Sequence, residues 1–162
     1  MGKLRAMLLV WTALTSVAAV QTHPDFSGVW APAASPTSGP PSASAGGSAA
    51  ALPPMDLTVV QTGDSIALSR TAFDRVTTMT YTFDGRENTN KTGAVTRVTK
   101  SRWDGATFVI EGRASQVTSQ GYAAWTFKET MARDAQRRLV LTSEHTSSDG
   151  VVTRGTVYYS KK

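Results

Sequence analysis

The chain has 162 residues, one domain's worth, with 40% hydrophobic and 18% charged residues, so a core is affordable but uncharged hydroxyl and amide groups must cover much of the surface. Cysteine is absent, which excludes disulfide frameworks, thiolate nucleophiles and Cys-type zinc sites, and only His23 and His145 are histidines. No metal and no cofactor is expected.

Residues 1–20 read as a secretory signal peptide: Lys3 and Arg5 form a basic start, a short apolar run follows, and Ser16, Ala18 and Ala19 offer a cleavage site. The run is broken by Thr12, Thr15 and Ser16 and falls short of the ~20 apolar residues of a membrane span. The mature chain is expected to begin near Val20 or Gln21, to carry no membrane span, and to be secreted or periplasmic. Loss of Lys3 and Arg5 leaves 15 basic against 12 acidic residues. The excess is mild and scattered along strand-like segments, so no nucleic-acid partner is expected. The oligomeric state is not legible.

Residues 21–30 hold a short first-strand segment, Asp25-Phe26-Ser27-Gly28-Val29-Trp30. Residues 31–54 are almost wholly Ala, Ser, Gly and Pro without charge and read as a loop, since such a composition cannot bury enough apolar surface to order itself. Residues 55–162 form the body. Here runs rich in Thr, Val, Tyr and Phe alternate in period two between turn signals about ten residues apart, the pattern of an all-β chain. Strands are expected at 57–62, 65–71, 76–83, 94–103, 107–113, 122–131, 138–144 and 151–159. Gly63-Asp64, Asp104-Gly105 and Asp149-Gly150 sit between strand runs as hairpin turns. Consecutive hairpins with no crossover helix make an antiparallel up-and-down meander, closed as a barrel or stacked as two sheets, with the Trp30 segment covering the edge.

The faces sort by alternation. Met79, Tyr81 and Phe83 share one side, and Trp125, Phe127, Glu129 and Met131 share another, opposite threonines that belong in water. The aromatics point inward, either filling the interior or lining a cavity. Glu129 on an aromatic face is the unusual member: it is either wet at the strand end or buried with a partner, for which arginine is the natural choice.

The segment Gly28-Val29-Trp30 resembles the Gly-x-Trp first-strand motif of the calycins, the superfamily of lipocalins and fatty-acid-binding proteins. More closely, Asp25-Phe26-Ser27-Gly28-x-Trp30, Gln61-Thr62-Gly63-Asp64-Ser65, Tyr81-Thr82-Phe83-Asp84-Gly85-Arg86-Glu87, Trp103-Asp104-Gly105 and Val157-Tyr158-Tyr159-x-Lys161 resemble uncharacterised secreted bacterial proteins. The resemblance implies a lipocalin-like β-barrel that holds a small hydrophobic or amphipathic molecule, and it implies that a basic residue of the last strand, Arg154, packs across Trp30 to close the barrel. The Arg-x-Tyr head-group pair of fatty-acid-binding proteins is absent, since Thr156 follows Arg154 at that spacing. The expected ligand-binding residues are Tyr81, Phe83, Trp125, Phe127, Glu129, Arg154 and Tyr158. Either face of the last strand can be the inner one: Arg154 shares a side with Val152, Thr156 and Tyr158, while Val151, Gly155, Val157 and Tyr159 make a more apolar side.

No catalytic residue is assigned. A hydrolase would have to use His145 beside Glu144, and a glycosidase would need two of Glu111, Glu129 and Glu144 to converge. The leading expectation is therefore an exported, non-enzymatic barrel that binds a ligand inside. The alternatives are a filled barrel acting as a structural or interaction module, and a hydrolase or isomerase using interior polar residues.

Overall fold

The structure, a computed structural model, describes residues 23–35, 55–72, 74–119 and 121–162. The expected signal peptide and most of the expected loop lie outside the described residues. Ten antiparallel strands follow in order: β1 (Gly28–Ala33), β2 (Leu57–Gln61), β3 (Ser65–Ala72), β4 (Arg75–Thr82), β5 (Asn88–Thr92), β6 (Val95–Asp104), β7 (Thr107–Thr118), β8 (Gly121–Arg133), β9 (Leu139–Ser147) and β10 (Val152–Lys161). Each pairs with its sequence neighbour except β4 with β5, and β1 also pairs with β10. The meander thus closes on itself through its first and last strands, as the turn spacing implies. At the Asp-Gly turns, Gly105 and Gly150 take the positive φ that their hairpins demand, +57° and +84°.

Two elements depart from the sequence reading. β1 continues through Ala33, into the segment expected as loop, because β10 pairs with it as far as Ala33 opposite Tyr158. Pro32 is tolerated since the pairing with β2 ends at Trp30, leaving a free edge that needs no N–H. β5, with the sequence Asn-Thr-Asn-Lys-Thr, has no apolar residue to mark it and was not expected as a strand. It is held by the β6 ladder on one side. On the other side the β4–β5 seam is made by side chains: the Asn90 amide donates to the Thr80 carbonyl and accepts from the Thr80 N–H, both at 2.9 Å, as a strand neighbour would. Ser101 donates to the Thr82 carbonyl at 2.6 Å and Thr99 to the Asn88 carbonyl at 3.3 Å, which satisfies the two buried hydroxyls of β6.

Pairing register fixes the inside. Leu57, Val59, Ile66, Leu68, Met79, Tyr81, Phe108, Ile110, Phe127, Met131, Leu139 and Tyr159 are buried at alternate positions. Threonines and ion pairs cover the outside, among them Glu111 between Arg102 (3.0 Å) and Lys128 (3.2 Å). One end of the barrel is filled. There the segment before β1 folds across the opening, Gln61 holding it by accepting from the Phe26 N–H (3.0 Å) and donating to the Pro24 carbonyl (3.1 Å). Phe26, Phe83, Trp103 and Phe108 pack ring on ring, with His23 stacked flat on Trp103 at 4.5 Å. Fully buried Trp30 lies in this layer, its indole N–H donating to the Phe26 carbonyl at 2.8 Å.

The expected Arg154–Trp30 contact is not made. Tyr159 is buried and pairs with Leu139, so the inner face of β10 is the one carrying Gly155, Val157, Tyr159 and Lys161. Arg154 lies on the outer face in an exposed ion pair with Glu144 at 2.7 Å. The cations over the Trp30 ring are Lys161, its direct partner in the β1–β10 register, at 5.7 Å, and Arg133 at 5.3 Å. The apolar alternation of β10 outweighed the placement of its single arginine, since facing Arg154 inward would have put Tyr159 in water.

Candidate functional site

Above the aromatic layer the barrel is open, enclosing a cavity of about 560 Å³. Its apolar wall includes Leu68, Met79, Ile110, Met131, Leu141 and Tyr159, and Arg70, Glu129 and His145 also border it. Val157, on the inner face of β10, is 38% exposed, a measure of how little fills the space beside it. The filled and hollow readings of the aromatics each describe one half of the barrel.

The polar side of the cavity is built by β6, β8 and β9. Glu129 projects inward from β8, and Arg97 reaches it from β6 at 2.8 Å. The Arg97 guanidinium lies 4.0 Å from the centre of the Phe127 ring and donates to the Met79 sulfur at 3.5 Å. His145, opposite Phe127 in the β8–β9 register, places Nε2 3.8 Å from the same carboxylate, inside ion-pair range but beyond a hydrogen bond, and that nitrogen is buried without a hydrogen-bond partner among the described residues. Burial pushes the Glu129 carboxyl up, but His145 and Arg97 together outweigh it and hold the group below its ordinary value. The arginine partner that a buried Glu129 demands is therefore present. Tyr81, fully buried on the opposite wall, donates to the Met79 sulfur at 3.4 Å, and burial pushes its hydroxyl up to about 12.

The expected site residues divide accordingly. Tyr81 and Glu129 border the cavity. Phe127 supports Arg97 from beneath, and Trp125 packs against the core at the same wall. Phe83 belongs to the aromatic layer, where it meets Trp103 and Phe108. Tyr158 also borders the cavity, but by alternation with Tyr159 its ring belongs to the outer face, where the Arg138 guanidinium covers it at 4.8 Å. Arg154 is outside altogether. Arg70, Arg97 and His145 were not among the expected binding residues. The inward alternation of Ile66, Leu68 and Arg70 on β3, and of Arg97 with Thr99 and Ser101 on β6, was the signal that could have found the two arginines.

The catalytic alternatives gain no assembly. Of the three carboxylates a glycosidase would draw on, only Glu129 faces the interior, while Glu111 and Glu144 pair with outer-face cations. His145 is directed at Glu129 rather than at a hydroxyl nucleophile. Among the described residues no helix is long and apolar enough to cross a membrane.

No family model matches the chain, and no curated protein matches it. Among solved structures it is similar to apo lipid binding protein 8 of Caenorhabditis elegans, with a TM-score of 0.45 and 11% sequence identity over 67% of this chain and 71% of that one.

Proposed function

We propose that the protein is exported and acts without catalysis, holding a small apolar or amphipathic molecule in the open half of its barrel. The observation that carries this reading is the cavity of about 560 Å³ behind a mostly apolar wall, within the ~300–1,000 Å³ usual for small-molecule sites. A barrel built only for rigidity or surface contact would gain by filling that volume, as the other end does with a cluster of packed aromatic rings. Export is supported by the composition of residues 1–20.

Native mass spectrometry of protein purified from its own host is expected to show a non-covalent adduct that denaturation releases, on a chain beginning near Val20 or Gln21. Val157→Trp, which directs an indole into the cavity, should remove the adduct while the fold persists. A bare mass for the wild-type protein, joined to no binding of an apolar dye, would refute ligand binding. Intact residues 1–20 on the soluble protein would refute export.

A further inference from the structure

Resting on the proposal of an interior ligand, we infer that the ligand carries a single negative charge and that Arg70, on β3, is its anchor. The argument is one of charge balance inside the barrel. The cavity wall carries Arg70, Glu129 and His145, and Glu129 is already neutralised by Arg97 at 2.8 Å. Arg70 has no ion pair and no hydrogen bond from its side chain among the described residues, although it is partly buried and borders the cavity. The counter-ion is not hidden in the rest of the chain. All 12 acidic residues lie among the described positions, and residues 36–54 contain no acidic side chain at all. On the cavity wall this leaves Arg70 as a cation with no anion beside it among the described residues.

An unpaired cation at an apolar wall is costly, and the arginine fork favours a planar or tetrahedral oxyanion that takes two N–H bonds at once. Carboxylate, sulfate and phosphate monoester share that chemistry. The position of Arg70 also orients the ligand. It lies two residues from the end of β3, beside the β3–β4 turn, whereas Ile110, Met131 and Tyr159 lie toward the aromatic floor. The charged head therefore sits at the mouth and the apolar body points down the barrel.

The test uses the full mature protein and compounds of one chain length: dodecanoate, dodecyl sulfate, dodecanol and dodecylammonium, measured by isothermal titration. The wild-type protein should bind one or both anions at least roughly tenfold more tightly than the alcohol, the scale of a charge-assisted hydrogen bond, and should bind the ammonium least. The better of the two anions identifies the head group. Arg70→Gln should bring anion and alcohol within about threefold of each other by weakening the anion alone, and Arg70→Lys should keep part of the preference. Equal binding of anion and alcohol by the wild-type protein would overturn the anion inference while leaving the interior ligand standing. An anion preference that survives Arg70→Gln would overturn Arg70 as the anchor. Failure of all four compounds to bind would overturn both the anchor and the interior-ligand reading.

Discussion

The Arg97–Glu129 pair is the most exacting place to perturb this interior, because the two charges depend on each other. Their side chains are only 15% and 24% exposed and their contact is 2.8 Å. Removing one member of a fully buried pair costs about 3–5 kcal/mol, since the survivor is left without compensation. Partial exposure screens the loss, so about 2–3 kcal/mol is expected for Glu129→Gln. Arg97→Met should cost a similar amount, about 2–3 kcal/mol, its stem still covering Phe127 while Glu129 keeps only His145. The double variant leaves neither charge stranded. It should fall short of the sum by about 1.5–3 kcal/mol, the interaction that a double-mutant cycle isolates. The measurement is urea unfolding at pH 7 followed by tryptophan fluorescence. The sign with pH is fixed by the lowered carboxyl: its contribution is fully present above the unfolded value near 4.5 and disappears as pH falls through the folded value. The gap between wild type and Glu129→Gln should therefore close in acid. Additivity within about 0.5 kcal/mol at pH 7, or a neutral Glu129→Gln, would refute the account of a compensated interior charge.

Three further outcomes follow from single contacts. Tyr81, raised by burial from 10.0 to about 12, stabilises the fold fully below pH 10 and loses its contribution, on the order of 2–3 kcal/mol, as pH rises toward 12; Tyr81→Phe should flatten that part of an alkaline unfolding profile. Trp30→Ala should cost about 3–5 kcal/mol and couple to Lys161→Met by about 0.5–1 kcal/mol, whereas Arg154→Met should be silent within about 0.5 kcal/mol and additive with it in chemical denaturation. Gly112→Ala places a methyl 2.2 Å from the Val98 carbonyl oxygen and should lower stability by about 2–3 kcal/mol or more, while Gly63→Ala, with open space around it, should leave the thermal midpoint nearly unchanged.

The fold was legible where local chemistry and burial agree. Eight of the strands announce themselves by β-branched and aromatic alternation between turns, most of which contain Gly, and β1 by the apolar Val29-Trp30 after Gly28. β5 was not, because a strand of Asn, Thr and Lys has no apolar face and owes its place to its partners. Its Asn90 does the work of a backbone edge on β4, a role that depends on Thr80 being within 2.9 Å and that no periodicity encodes. The strand ends were blurred for a similar reason. β7 and β8 run on to Thr118 and back from Gly121 by pairing with each other beyond the reach of β6 and β9, whose partners stop at Gln116 and Trp125.

The site was less legible than the fold, and β10 shows why. Arginine in a β-strand signals a surface position as readily as an interior one, so its meaning comes from the alternation around it. On β10 the burial of Tyr159 turns Arg154 outward, while on β3 the burial of Ile66 and Leu68 turns Arg70 inward, and on β6 Thr99 and Ser101 do the same for Arg97. One rule of period two, applied to every arginine, separates the two classes; a motif matched at a single arginine does not. The same rule links Glu129 to Arg97 through the shared interior, although they are 32 positions apart in sequence. What the sequence could not supply is volume. Aromatic side chains fill the floor at Phe83 and Phe108 yet border the cavity at Tyr81, and which of them do so is decided by the packing around each ring rather than by its chemistry.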